Sequence, residues 1–238
     1  MDVSPLFLRE QGARRLQSRL CLFNLEFAMG PKTIVYVDGF NLYYGAVKGT
    51  PYKWLNLMAL CESLLPKNKI VKIKYFTARV SARPGDPDQP NRQQIYLRAL
   101  RTIPYLEIIY GHFLEHEVSM RLAHPPQGGS PYVYVIKTEE KGSDVNIAAH
   151  LINDGYKGRY QVAVVLSNDS DLVEPIKIVR RDLGLTVGVL NPHPKHPSRA
   201  LKKFASFVKP IRKGALRSCQ FPEQMRDEKG VFRRPLRW

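Results

Sequence analysis

The segment YQVAVVLS at residues 160–167 is the most apolar strand-type run in this chain. A run of that kind suits a strand covered on both faces, as in the interior of a parallel sheet. The next segment, DLVEPIKIVRRDLG at 171–184, puts Leu172, Ile176, Val179 and Leu183 on one helical face. A doubly covered strand that hands over directly to an amphipathic helix is half of a βαβ unit. No other stretch limits the fold as tightly.

The same alternation begins at Lys32. TIVYV (33–37) is a short β-branched run followed by a turn and a short helix in DGFNLYYG. WLNLMALCESLL (54–65) has helical spacing, KIVKIKYFTA (69–78) reads as a strand, and PNRQQIYLRALRTI (90–103) as an amphipathic helix. YLEIIYGHF (105–113) is a strand, and PYVYVIKTEE (131–140) is expected to pair antiparallel with 112–120 around an exposed Pro/Gly loop at 121–130. SDVNIAAHLINDG (143–155) reads as a helix with Ser143 as N-cap and Gly155 as stop, and LTVGVL (185–190) is the last clear strand. The prediction is an α/β fold: a doubly wound, mostly parallel sheet with flanking helices over about 32–208 and an inserted β-hairpin at 112–140.

At 238 residues and 44% apolar, the chain can bury one large domain with appendages. Residues 1–28 form an arginine-containing leader without a clean period, and Met29, opening MGPKTIVYVDGFN, is the expected physiological start. Residues 209–238 carry nine basic against three acidic residues and no visible apolar period, which predicts a flexible basic tail, either a merely solvated C-terminus or an aid to polyanion binding. The whole chain has a formal charge of +16, which attracts polyanions, nucleic acid above all. No apolar run reaches the length of a membrane span, so no membrane partner is expected. Cys21, Cys61 and Cys219 lie far apart without a CxxC pair, which argues against structural zinc and for a reducing compartment such as the cytoplasm.

Open α/β sheets bind ligands beyond the carboxyl ends of their strands. Asp38 follows TIVYV directly, and Asp169 and Asp171 follow VAVVLS. Asp144 opens a helix, and it joins them if the hairpin at 112–140 returns to that edge. Taken alone, an aspartate after a strand is most often a helix N-cap, and Asp144 beside Ser143 suits the helix dipole. Four carboxylates together would repel and raise one another's pKa values, and a hard divalent cation such as Mg²⁺ removes that conflict. Such an ion activates water and stabilises phosphoryl charge, which suits a basic protein acting on a polyanion.

The motifs IVYVDGFNLYYG, KIKYFTARV, RQQIYLRAL, KGSDVNIAAHLI and VVLSNDSDLVEPI, in this order, resemble the NYN domain family in its LabA-like branch, a relative of PIN-domain nucleases. The resemblance implies a PIN-like fold and a Mg²⁺- or Mn²⁺-dependent ribonuclease hydrolysing RNA phosphodiester bonds. It puts the family's metal-binding and catalytic acids on Asp38, Asp144, Asp169 and Asp171.

Asn41, Ser167 and Asn168 are candidates to orient a water or a substrate oxygen. Arg79, Arg83 and Lys141 are candidates for phosphate contact, although solvated surface charge is as good an account of each. Tyr43 and Tyr44 are candidates to stack on bases, or core residues of a short helix. A phosphatase with a second acid two residues after its nucleophile is excluded because Gly39 and Phe40 follow Asp38, and dinucleotide binding lacks its GxGxxG turn. The competing expectation is a non-catalytic RNA-binding module on the same fold.

Overall fold

The computed structural model describes residues 30–238. Strand β1 (Lys32–Asp38) leads into helix α1 (Gly39–Leu42), which continues as one π-type turn, Tyr43–Val47. Helix α2 (Leu57–Leu64), strand β2 (Lys69–Thr77), helix α3 (Gln89–Leu100) and strand β3 (Leu106–Tyr110) come after it. A hairpin of β4 (His112–Arg121) and β5 (Tyr132–Lys141) leads to helix α4 (Ser143–Tyr156). Strand β6 (Val162–Leu166), a 3₁₀ turn at Ser170–Leu172, helix α5 (Val173–Arg181) and strand β7 (Thr186–Asn191) come next. Helix α6 (Arg199–Phe204), strand β8 (Phe207–Pro210), helix α7 (Lys213–Ser218) and strands β9 (Gln224–Asp227) and β10 (Gly230–Arg233) complete the described elements.

Six strands form one parallel sheet in the order β3-β2-β1-β6-β7-β8. All five residues of β6 are buried, as its continuous apolar run requires. Alternate side chains of β1 and β6 feed two separate layers. Val35, Val37, Val164 and Leu166 meet α2, α3 and α7, while Ile34, Tyr36, Ala163 and Val165 meet α4, α5 and α6. Helices thus cover both faces, and truncating a buried leucine or isoleucine in either layer to alanine should cost about 2–5 kcal/mol.

One polar cluster is buried beneath α4. Asp154, with no side-chain exposure, accepts from Lys74 Nζ at 2.5 Å, Tyr36 Oη at 2.9 Å and Arg159 Nη1 at 2.8 Å. Burial alone would raise the Asp154 pKa, but hydrogen bonds from Lys74, Arg159 and Tyr36 win and hold it below the ordinary carboxylate value.

The hairpin leaves the sheet after β3 and returns to the same edge, in register from His112↔Lys141 to Arg121↔Tyr132. At its base the two strands nearly touch. A Cβ on Gly111 would sit 2.5 Å from both Glu140 Oε1 and Lys141 O, and Gly142 has φ +98°, where only glycine is comfortable. The chain therefore turns sharply into α4 at the carboxyl edge of the sheet, which is where Asp144 belongs if it is to join the other acids.

The structure corrects the sequence reading in several places. Residues 209–238 are not a flexible tail. Ile211, Leu216, Phe221 and Phe232 are buried, Trp54 Nε1 donates to Pro222 O at 2.7 Å, and the Arg98 guanidinium grips Asp227 with bonds of 2.7 and 2.5 Å. The anchors are apolar residues scattered among basic ones, too irregular to show a period, and they fold back over Trp54. Removing this segment would uncover the core, not merely trim charge. Helix α4 is not capped by Ser143 either: Gly142 precedes it in a left-handed conformation, and Ser143 Oγ donates to Glu140 Oε1 at 2.8 Å. The helix also runs one residue past Gly155. The expected leader 1–28 and the start at Met29 lie outside the described residues.

Candidate active site

From β1 the chain winds outward through β2 to β3, and then α4 carries it across to β6 on the other side of β1. The connection changes direction between β1 and β6, and a crevice opens beyond their carboxyl ends at such a switch point. Asp38 is the last residue of β1, and Ser167 to Asp171 follow β6.

A short hydrogen-bond network stitches these two strand ends together. Asp38, 5% exposed, accepts from the Asn41 amide at Oδ1 (2.9 Å) and from Ser167 Oγ at Oδ2 (3.0 Å). Ser167 Oγ in turn accepts from the Asp169 amide at 3.1 Å, and Asp169 Oδ1 accepts from the Asp171 amide at 2.9 Å. Asn41 Oδ1 accepts from the Asn168 amide at 3.0 Å. Asp38 and Asp169 are therefore both helix caps and neighbours in one cluster. Capping uses one oxygen of each carboxylate, so the two roles coexist.

The electrostatics identify what the cluster lacks. Burial pushes the Asp38 pKa up to about 6, against the lowering effect of its bonds from Asn41 and Ser167, and the charges of Asp144 and Asp169 add to the rise. The Asp144 pKa is also raised, by burial first and then by Asp169, Glu140 and Asp171. Among the described residues no lysine or arginine forms an ion pair with Asp38, Asp144, Asp169 or Asp171. In a chain of net charge +16, that is an acidic spot left without a cation of its own.

A divalent ion fits this donor set under one condition. Among the described residues no three histidine, cysteine or acidic side chains stand close enough to form a cage for a metal. Magnesium does not require one, because it is commonly held by one or two carboxylates and keeps several of its waters. The cluster suits a hydrated ion of that type.

The other expected residues divide. Asn168 turns away from the acids and braces the 192–198 loop: its Nδ2 donates to His196 O at 2.9 Å and its Oδ1 accepts from the Ser198 amide at 2.7 Å. Arg79 lies over the Tyr110 ring at 5.4 Å, and Lys141 pairs with Glu139 at 3.2 Å. Arg83 lines a cavity of about 390 Å³ beside the cluster, together with Tyr43, Tyr44 and Glu140. Sequence reasoning passed over Glu140, whose one signal is its place four residues before Asp144. It also passed over the cavity, which is built from distant segments. Among the described residues, no helix is long and apolar enough to cross a membrane.

A model of the NYN domain matches residues 32–211. The chain is 30% identical over 237 aligned residues to 6-hydroxy-3-succinoylpyridine 3-monooxygenase HspA of Pseudomonas putida, covering 87% of this chain and 75% of that protein. Its fold resembles the crystal structure of a protein of unknown function from Vibrio parahaemolyticus, with a TM-score of 0.52, 16% identity, and coverage of 78% of this chain and 95% of the other.

Proposed function

The chain belongs to the NYN domain family, and from that premise and the geometry of its acids we propose that it is a Mg²⁺- or Mn²⁺-dependent ribonuclease. One observation carries the reading: carboxylates from β1, α4 and the β6 loop act on one another at the switch point with no ion-pair partner among the described residues. Asp38, Asp144, Asp169 and Asp171 would surround a hydrated ion, one or two of them binding it directly and the others through its waters. When bound, it would polarise the scissile phosphate and lower the pKa of a water.

The chain's own residues supply position. Ser167 and Asn41 fix the Asp38 carboxylate from two sides, so that it keeps its orientation whether or not an ion is present. Asp169 is held by the amide of Asp171, which leaves the β6 loop little freedom at the point where substrate would lie. The excess of basic residues elsewhere draws the polyanion in, with an affinity that falls as salt rises. Arg83 stands on the wall of the neighbouring cavity, within the same crevice region, as a phosphate contact.

Labelled single-stranded and structured RNA, incubated with Mn²⁺, Mg²⁺ or EDTA, tests the proposal. Cleavage with either metal and none in EDTA is the expected result. Cleavage that survives EDTA, or binding of RNA without cleavage under any condition, would overturn it, the second outcome leaving a non-catalytic RNA-binding module. A second reading comes from the name of the Pseudomonas relative, namely oxygenation of a small hydroxypyridine acid. The aromatic lining of the cavity favours it. Consumption of O₂ dependent on both a two-electron reductant and a hydroxypyridine would support that reading over hydrolysis.

A further inference from the structure

The cavity beside the acids has the makings of a ring-binding site. Phe40, Tyr43, Tyr44, Tyr75, Phe113 and Trp238 present aromatic surface to it. Their placement is fixed by mutual packing. Phe40 meets Phe113 edge-on at 5.5 Å, Tyr43 meets Tyr44 at 5.2 Å, and Trp238 rests against Trp54 at 5.7 Å. At about 390 Å³ the space matches one ring system with its substituents.

The polar part of the lining selects charge. Asp86 is matched by Arg92, so that pair is neutral toward a ligand. Gln93 is spent on the backbone, accepting from the Val80 amide and donating to Ala78 O. Lys53, Arg83 and Arg237 also line the cavity and outnumber its one remaining acid, Glu140, which accepts from Ser143; among the described residues no acid pairs with the three cations. Aromatic walls with spare cations suit a flat ring that carries an anion.

The cavity adjoins the acid cluster through neighbouring residues, although none of the four aspartates lines it. Gly39 and Phe40, the two residues after Asp38, lie on its wall, as does Glu140, which acts on Asp144. Arg237 and Trp238 also line it and lie beyond the residues matched by the family model.

We propose that this cavity binds one planar aromatic ring bearing an anionic group. On the ribonuclease reading, on which this identification rests, that ligand is a single nucleotide of the RNA lying beside the scissile phosphate. Ring stacking holds the base without reading its edge, and Arg83, Lys53 and Arg237 take the phosphate.

The test is titration of the full chain in EDTA with adenosine 5′-monophosphate, adenosine, inorganic phosphate and pyridine-3-carboxylate, followed by calorimetry. Saturable binding of the monophosphate is expected, with adenosine and phosphate each far weaker. Tyr44→Ala and Arg83→Ala, at exposed positions, should each weaken the monophosphate by about tenfold, in line with the loss of one stacking or one charged contact. Trp238→Ala should do the same and Trp238→Phe should recover most of the loss, which separates stacking from a folding defect. Binding of pyridine-3-carboxylate without the nucleotide would keep the aromatic-anion site and overturn its nucleotide identity. Saturable binding of neither, or binding indifferent to Tyr44→Ala and Arg83→Ala, would overturn the site. Because the titration is run in EDTA and reads binding alone, a failed cleavage assay and a failed cavity are distinguishable.

Discussion

Asp38, at the end of β1, and Asp154, on α4 against the same sheet, are both buried aspartates, and their surroundings push them in opposite directions. Asp154 is met by Lys74, Arg159 and Tyr36, and its pKa falls below the ordinary value. Asp38 is met by one amide, one hydroxyl and other carboxylates, and its pKa climbs to about 6. An acid whose countercharge is built in serves the fold. An acid buried among other acids is a cost to the fold, and it makes sense when something outside the chain supplies the cation. The contrast shows that burial alone does not identify a functional carboxylate; the identity of the partners does.

The sharpest way to break the comparison is to neutralise each acid. Asp154→Asn leaves Lys74 buried without its charge partner and should destabilise the protein by about 3–5 kcal/mol in urea unfolding. A loss below about 1 kcal/mol would place the pair among weak surface bridges. Asp38→Asn should behave oppositely, lowering RNA cleavage more than about 100-fold, beyond the range of an outer contact, with no loss of stability in EDTA. Cleavage that persists in this variant would move the site elsewhere.

Stability against pH gives the same contrast in one titration. Asp154, with a lowered folded pKa, contributes stability above the ordinary carboxylate range and loses it as pH falls through the folded value. Asp38 is raised from 3.8 to about 6, so the folded chain holds its proton more tightly than the unfolded chain within that window. Stability should therefore decline as pH rises from 3.8 to 6 in metal-free protein, by as much as about 3 kcal/mol. Asp38→Asn should flatten that decline and leave the acid-side loss due to Asp154 in place. A decline identical in the variant and in the wild type would refute the assignment.

Smaller effects refine the picture. Ser167→Ala removes the hydroxyl donor to Asp38 and should reduce cleavage by roughly tenfold, with divalent-ion affinity falling in parallel. Arg159 is half-exposed, and its pairing with Asp154 should be worth no more than about 1 kcal/mol. An Arg159→Ala loss as large as that of Asp154→Asn would mean that Lys74 is not the main partner.

Much of this was legible in the residues. The run YQVAVVLS announced a doubly covered central strand, and Asp38, Asp169 and Asp171 stood visibly at strand ends. Asp144 was legible only conditionally, since its place depends on a hairpin whose return point local pattern cannot determine. The Lys74–Asp154 pair was invisible because its members are 80 positions apart and each resembles an ordinary surface charge. The fold of 209–238 was hidden for a similar reason: Leu216, Phe221 and Phe232 find their partners around Trp54, far away in sequence, rather than in a local period.

The hairpin of β4 and β5 has one more consequence. Its two ends lie side by side at Gly111 and Gly142, and its base, through Phe113, Thr138 and Glu140, lines the cavity. Its far end, around 121–132, lies outside that lining. Insertions and deletions at the tip would leave the entry into α4, and with it Asp144, where they are. The chain thus separates a stretch open to drift in length from the junction that positions Asp144, and relatives could gain or lose reach there without moving it.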